Sequence, residues 1–208
     1  MHITILTAQG FNELDSFIAL GILNRVKRPG WRVSICGPDE KLTSMNGVVV
    51  QAQATLAEAN SADVVLVGSG MKTREFVNDP ALIGQLRLDP TRQLIGAQCS
   101  GTLILAKLGL LHGVPACTDL LTKPWVQEAG VEVLNQPFFA RGNVATAGGC
   151  LASQYLAAWV IARTEGEAAA QEAMHYVAPV GEKEACVERA LAAIKPFLPS
   201  AMEGRSGT

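Results

Sequence analysis

The chain has 208 residues, 49% of them apolar and 17% charged, with 17 basic against 19 acidic side chains. That length buries one substantial core, and a net charge of −2 offers no electrostatic footprint for nucleic acid or an anionic membrane. Five cysteines without a pairing pattern, behind a start that reads as a strand and not as a signal peptide, exclude a disulfide scaffold and predict a cytoplasmic protein.

In chain order, Ile3–Leu6 reads as a strand, and Asn12 caps a helix predicted over Glu13–Arg28. Pro29-Gly30 stops it before a second strand, Trp31–Cys36. Val48–Val50 suits a peripheral strand or a hairpin around Asn46-Gly47. Asp63–Val67 is a buried strand leading to Gly68-Ser69-Gly70, and a helical stretch broken at Asp79-Pro80 runs to about Leu88. Gln93–Gln98 is a strand and Gly101–Leu110 a helix. Pro115–Thr118 and Val131–Leu134 read as short strands around a helix, and Phe138–Ala140 with Val144–Thr146 as a hairpin. Three helices follow, near Cys150–Arg163, Glu167–His175 and Lys183–Pro196. The longest apolar stretch, Leu151–Ala162, is too short to span a bilayer.

This alternation predicts an α/β fold: a doubly wound, mostly parallel sheet with helices on both faces, a flavodoxin-like three-layer sandwich. Residues 1–199 form the single domain and 200–208 a flexible tail. Such sheets bind ligands beyond the carboxyl ends of their strands, so the strand exits hold the candidate site.

Three exits stand out. In Gly96-Ala97-Gln98-Cys99-Ser100-Gly101, a buried strand runs through small residues and one cysteine directly into a helix. That is a nucleophile elbow, or else a buried structural thiol. The helix start beneath Cys99 predicts a depressed thiol pKa, and the Ser100 N–H can face a developing oxyanion. Gly68-Ser69-Gly70-Met71 completes no phosphate-loop spacing, because Thr73 stands in the third glycine's place. Its Ser69 or Gly70 N–H could serve the same oxyanion. The third exit, Gly10-Phe11-Asn12-Glu13-Leu14-Asp15, supplies a carboxyl that either partners the helix dipole or moves a proton at the sulfur. His2, His112 and His175 all have peripheral readings, Cys117 lies near a strand end, and no metal-ligand spacing exists, so no metal and no cofactor are expected.

With these exits assembled, the chain resembles the ThiJ/PfpI superfamily, flavodoxin-like relatives of glutamine amidotransferase domains. The carriers are Ala97-Gln98-Cys99-Ser100-Gly101-Thr102, Leu108 to Gly113, Asp63 to Gly70, Asp79-Pro80-Ala81-Leu82 and Thr146 to Ser153. Leu14-Asp15 and the later Tyr176 and Pro179 look like the isocyanide hydratase branch. By this resemblance the nucleophile falls on Cys99, the acid on Asp15 and the oxyanion loop on Ser69 and Gly70. Glu13, Thr118 and Asp119 become supporting candidates. Two segments depart from the family pattern. Cys117-Thr118-Asp119 stands where many members have Thr-Thr-His, and Gly68-Ser69-Gly70 where they have Pro-Gly-Gly. The implied activity is cysteine-dependent hydration or hydrolysis of a small molecule of isocyanide, amide or aldehyde type. The alternative is a redox-sensing stress protein without turnover. A homodimer is implied; a nucleic-acid or membrane partner is not.

Overall fold

The computed structural model describes residues 1–199, so the tail expected at 200–208 lies outside the described residues. The strands are β1 (His2–Leu6), β2 (Arg32–Gly37), β3 (Lys41–Thr43), β4 (Val49–Gln51), β5 (Ala54–Thr55), β6 (Val64–Val67), β7 (Leu94–Gln98), β8 (Phe138–Arg141) and β9 (Val144–Ala147). The helices are α1 (Glu13–Leu23), α2 (Leu56–Ser61), α3 (Thr73–Asn78), α4 (Pro80–Ile83), α5 (Gly101–Lys107), α6 (Lys123–Glu128), α7 (Ser153–Glu165), α8 (Glu167–Val177) and α9 (Lys183–Ile194).

Seven strands make one sheet in the order β5-β2-β1-β6-β7-β9-β8, parallel throughout except for the edge strand β8. Strand side chains alternate between faces, and here both faces are covered. Ile3, Ile5, Val64 and Leu66 pack with Ala19, Ile22, Leu23, Leu156 and Trp159 under α1, α7, α8 and α9. Leu6, Val65, Val67 and Ala97 point the other way, toward Leu56, Phe76, Ile104 and Leu105 from the short helices. The doubly wound α/β sandwich read from the sequence is therefore present.

Several boundaries differ from expectation. The first helix stops at Leu23, not Arg28, because the Trp31 indole donates to the Leu23 carbonyl (2.9 Å) and the Asn24 amide to that of Leu20 (2.9 Å). The elbow helix ends at Lys107, just before Gly109 turns left-handed (φ 76°). Pro115–Thr118 and Val131–Leu134 form only an isolated bridge, Ala116 to Val133, around α6. The hairpin around Asn46-Gly47 is present as β3–β4. No helix among the described residues is long and apolar enough to cross a membrane.

Backbones crowd at the strand exits. A Cβ on Gly101 would sit 2.5 Å from the Val67 carbonyl oxygen and 2.6 Å from that of Gly68. Neither acceptor can swing aside as a side chain would, so Gly101→Ala should cost about 3 kcal/mol and lower the melting temperature by roughly 5–10 °C. Gly21→Ala, in α1 with nothing within 4 Å of the new methyl, should instead gain about 0.5–1 kcal/mol. Thermal unfolding of the two variants beside wild type checks the contrast; equal melting temperatures would refute the packing account.

Candidate active site

β1, β6, β7 and β9 are neighbours and run parallel, so their carboxyl ends open on one edge of the sheet. The four exits deliver Asn12 and Asp15, Ser69 and Gly70, Gln98 to Ser100, and Gly149-Cys150 to that edge. Cys99 is the sole non-glycine residue with positive φ among the described residues, at 47°. A Cβ in that left-handed region costs about 1–2 kcal/mol, which the surrounding bonds must hold in place. The Cys99 N–H donates to the Ala147 carbonyl (2.8 Å), and the Thr118 hydroxyl donates to the Cys99 carbonyl (2.8 Å). Thr118 thus clamps the elbow from its backbone side.

Asp15 sits in the first turn of α1, only 2% exposed, and the Ser69 hydroxyl donates to its Oδ2. Its Oδ1 is buried without a hydrogen-bond partner of ordinary geometry. The Asp15 carboxylate, Cys99 Sγ and Cys150 Sγ lie within 4.8 Å of one another. Glu13 takes another direction: it accepts from the Ser44 hydroxyl and from Asn46 Nδ2 (2.9 Å), bracing the β3–β4 hairpin. Residues two apart on a helix face different ways, so only one of this acidic pair can reach the sulfur. Glu13→Gln should accordingly leave the pH profile of Cys99 alkylation unmoved. A shifted profile would mean that Glu13 titrates with the thiol.

Asp119 caps its own turn, accepting from the Leu121 and Thr122 N–H groups (2.9 Å each). Its charge still reaches the site, adding slightly to the upward push on both Asp15 and Cys99. The Gly70 N–H, expected to face an oxyanion, donates to Ser100 Oγ (3.1 Å), which also bonds the Thr73 hydroxyl (2.7 Å). Gly70 instead permits close chain approach, since a Cβ there would lie 2.6 Å from the Gly10 carbonyl oxygen. Ser69 contributes its hydroxyl, to Asp15. The Ser100 N–H has no protein acceptor among the described residues, and the Gly149 backbone N–H pulls the Cys99 pKa down.

The thiol is not depressed. Burial first, then the neighbouring Asp15 charge, push Cys99 above its ordinary pKa, against the Gly149 N–H that pulls it down. Burial likewise raises Asp15, against hydrogen bonds from Ser69 and the two sulfurs that pull it down. Carboxyl and thiol resist ionising together, so they share protons as a coupled pair.

Two participants carry no role in the sequence reading. Gln98 Nε2 donates to the Gly149 carbonyl (2.7 Å) and contacts Cys99 Sγ (3.6 Å), tying the elbow to the β9 exit. Cys150 follows Gly149 (φ 91°), and Asn12 Nδ2 donates to its sulfur (3.2 Å) while Asn12 Oδ1 caps α1. Cys117, the thiol near a strand end, is instead buried away from Cys99: its N–H donates to Thr146 Oγ1 (2.8 Å) and its carbonyl accepts from Thr102 (2.9 Å). Tyr176 and Pro179 line a groove of about 590 Å³ along α1 with Phe17, Leu151 and Val177. Asp15, Cys99 and Cys150 also form the one set of three potential metal ligands among the described residues.

A strained cysteine at a strand-to-helix elbow, faced by a buried acid from the first helix, defines a cysteine-elbow protein of the doubly wound α/β class. The chain belongs to the DJ-1/PfpI family, whose pattern matches residues 1–163. Among solved structures, it is similar to a ThiJ/PfpI family protein from Pseudomonas syringae, at 19% identity and TM-score 0.76, covering 93% of this chain and 87% of that one. A DJ-1 superfamily protein from Salmonella typhimurium, solved as a cysteine-to-alanine mutant, shares 25% identity at TM-score 0.71, with coverage of 85% and 97%. Oxidized DJ-1 of Toxoplasma gondii shares 18% at TM-score 0.72, also with coverage of 85% and 97%. No curated protein matches the chain.

Proposed function

We propose that this protein is a cysteine-dependent hydratase or hydrolase of small electrophilic carbon compounds, with isocyanides the leading class and amides and aldehydes beside them. The observation that carries this reading is the buried Asp15 carboxyl beside the strained Cys99 sulfur, both with raised pKa. A free thiolate at rest is not required. As the sulfur attacks, its proton passes to Asp15, which is close enough to the pair's shared charge to take it without leaving two buried anions. On an isocyanide, the S–C bond forms at the terminal carbon and Asp15 returns the proton to that carbon, giving a thioimidate. Water then adds across the C=N bond, the C–S bond breaks, and a formamide leaves as Cys99 recovers its proton. The Ser100 and Gly149 N–H groups are the candidate donors for anionic intermediates.

A homodimer in the cytoplasm belongs to the same reading; exposed Leu151, Tyr176 and Val177 leave apolar surface on the groove along α1. The test is product formation from an aryl isocyanide, methylglyoxal and a primary amide at neutral pH, beside iodoacetamide labelling of Cys99. Formamide, hydroxy acid or acid from one of the three supports the reading. Labelled Cys99 with no product from any compound overturns it.

A further inference from the structure

Cys150 is a second nucleophile for which the hydration chemistry has no use, yet it is held at the same point. It leaves β9 through Gly148-Gly149, and β9 lies beside β7, so the sheet itself delivers its sulfur to the elbow. Asn12 Nδ2 donates to that sulfur, which fixes its direction and partly offsets the burial and the Asp15 charge that push its pKa up. Asp15 lies within 4.8 Å of both sulfurs, and the sulfurs within the same distance of each other. Its buried Oδ1 has no other partner among the described residues. Disulfide bonding needs an S–S separation of about 2.0 Å, so the two sulfurs must close by a side-chain rotation and a small backbone shift. Gly149 before it has φ 91° and open space where a side chain would stand, and Cys150 begins a one-turn helix. The other three cysteines lie outside this cluster: Cys36 and Cys117 are buried in the core, and Cys186 is on α9.

We propose that Cys150 is a resolving cysteine, converting peroxide-oxidised Cys99 into a reversible Cys99–Cys150 disulfide. The Cys99 sulfur attacks one oxygen of hydrogen peroxide, the O–O bond breaks, and the departing hydroxide takes up the thiol's proton by way of Asp15. Cys99 is then a sulfenic acid. The Cys150 sulfur attacks it, the S–O bond breaks, and hydroxide leaves with the second thiol's proton. Two thiols are oxidised by two electrons, and peroxide is reduced to two waters. Without a second sulfur in reach, further peroxide carries the sulfenic acid to the irreversible sulfinic acid. The inference shares Cys99 with the hydratase reading but not its turnover.

The experiment treats the full chain with a slight excess of hydrogen peroxide, then maps peptides by mass spectrometry with and without dithiothreitol. The expected wild-type product is a Cys99–Cys150 linked peptide, lighter by two hydrogens and restored by dithiothreitol. In Cys150→Ser, Cys99 should pass to sulfinic acid roughly tenfold faster than in wild type. Cys150→Ala serves as a second variant if the serine form fails to fold, and the wild-type map decides on its own if both do. Sulfinic acid on wild-type Cys99 with Cys150 still a free thiol overturns the proposal, as does a disulfide through any other cysteine. Because the readout is the sulfur's mass, the disulfide can form with no substrate ever found, and turnover can persist with no disulfide.

Discussion

Cys99→Ala is expected to lower kcat/KM by at least about 10³-fold on whichever compound the wild type turns over. No other nucleophile occupies the elbow, where the sulfur lies beside the Asp15 carboxyl. Cys150 is close, but it starts a one-turn helix after Gly149 and lacks the elbow's positive φ. Kinetics of Cys99→Ala and of the Cys99→Ala, Cys150→Ala double variant separate the two sulfurs. Retention of more than a tenth of wild-type kcat/KM in the double variant would sink the covalent mechanism. The backbone gives an independent reading. Since φ of 47° strains any residue with a Cβ, Cys99→Gly should be about 1 kcal/mol more stable than Cys99→Ala. Denaturant midpoints check this, and a reversed order would mean that the elbow is not strained.

Asp15→Asn is expected to split two properties that usually move together. Its charge raises the Cys99 pKa, so the amide should let the thiol ionise at lower pH and alkylate faster at neutral pH. Turnover should nevertheless fall by about 10²- to 10³-fold, because the proton acceptor is gone. Alkylation profiles and kcat/KM on one preparation check both signs. A fall in both together would mean that Asp15 acts only by holding the loop. Stability follows the carboxyl's own shift. Its folded pKa is raised, so between the unfolded and the folded value the native state binds more protons than the unfolded chain. Its contribution is therefore most favourable in acid and declines as pH rises through that window. Asp15→Asn should flatten this decline, so that the variant's stability changes less than the wild type's as pH rises through the window. Urea titrations from acidic to neutral pH would show it.

Much of this was legible in residue order, for physical reasons. Alternating β-branched runs such as Ile3–Leu6 and Asp63–Val67 can only be buried on both faces, which forces helices onto both sides of the sheet. Crowded backbone needs small residues, so Gly68–Gly70 and Gly96–Gly101 announced the exits. α2 carries no reading in the residue order: Leu56–Ser61 is too short to show a periodicity, and only the Thr55–Glu58 capping box of the fold marks its start. What stayed hidden depends on neighbours far along the chain. Cys150 matters because β9, not β8, pairs with β7. The raised Cys99 pKa follows from burial and an opposing carboxylate, which a helix start in the sequence cannot weigh. The Gly70 N–H lost its expected freedom to a serine thirty positions away.

The bond from Asn12 to Cys150 joins residues 138 positions apart, and the strands beneath them come from the beginning, middle and later part of the chain. A ribosome-bound chain that has emerged only through Cys99 therefore carries an ordinary thiol. It has Asp15 but not the Ala147 carbonyl that holds the elbow, the Gly149 amide or the second sulfur. The full set of neighbours gathers only when β9 closes onto β7, late in synthesis, and with it the upward push on the thiol's pKa. The sulfur is thus a timer of assembly: its chemistry reports whether nearly three-quarters of the sequence has already found its place.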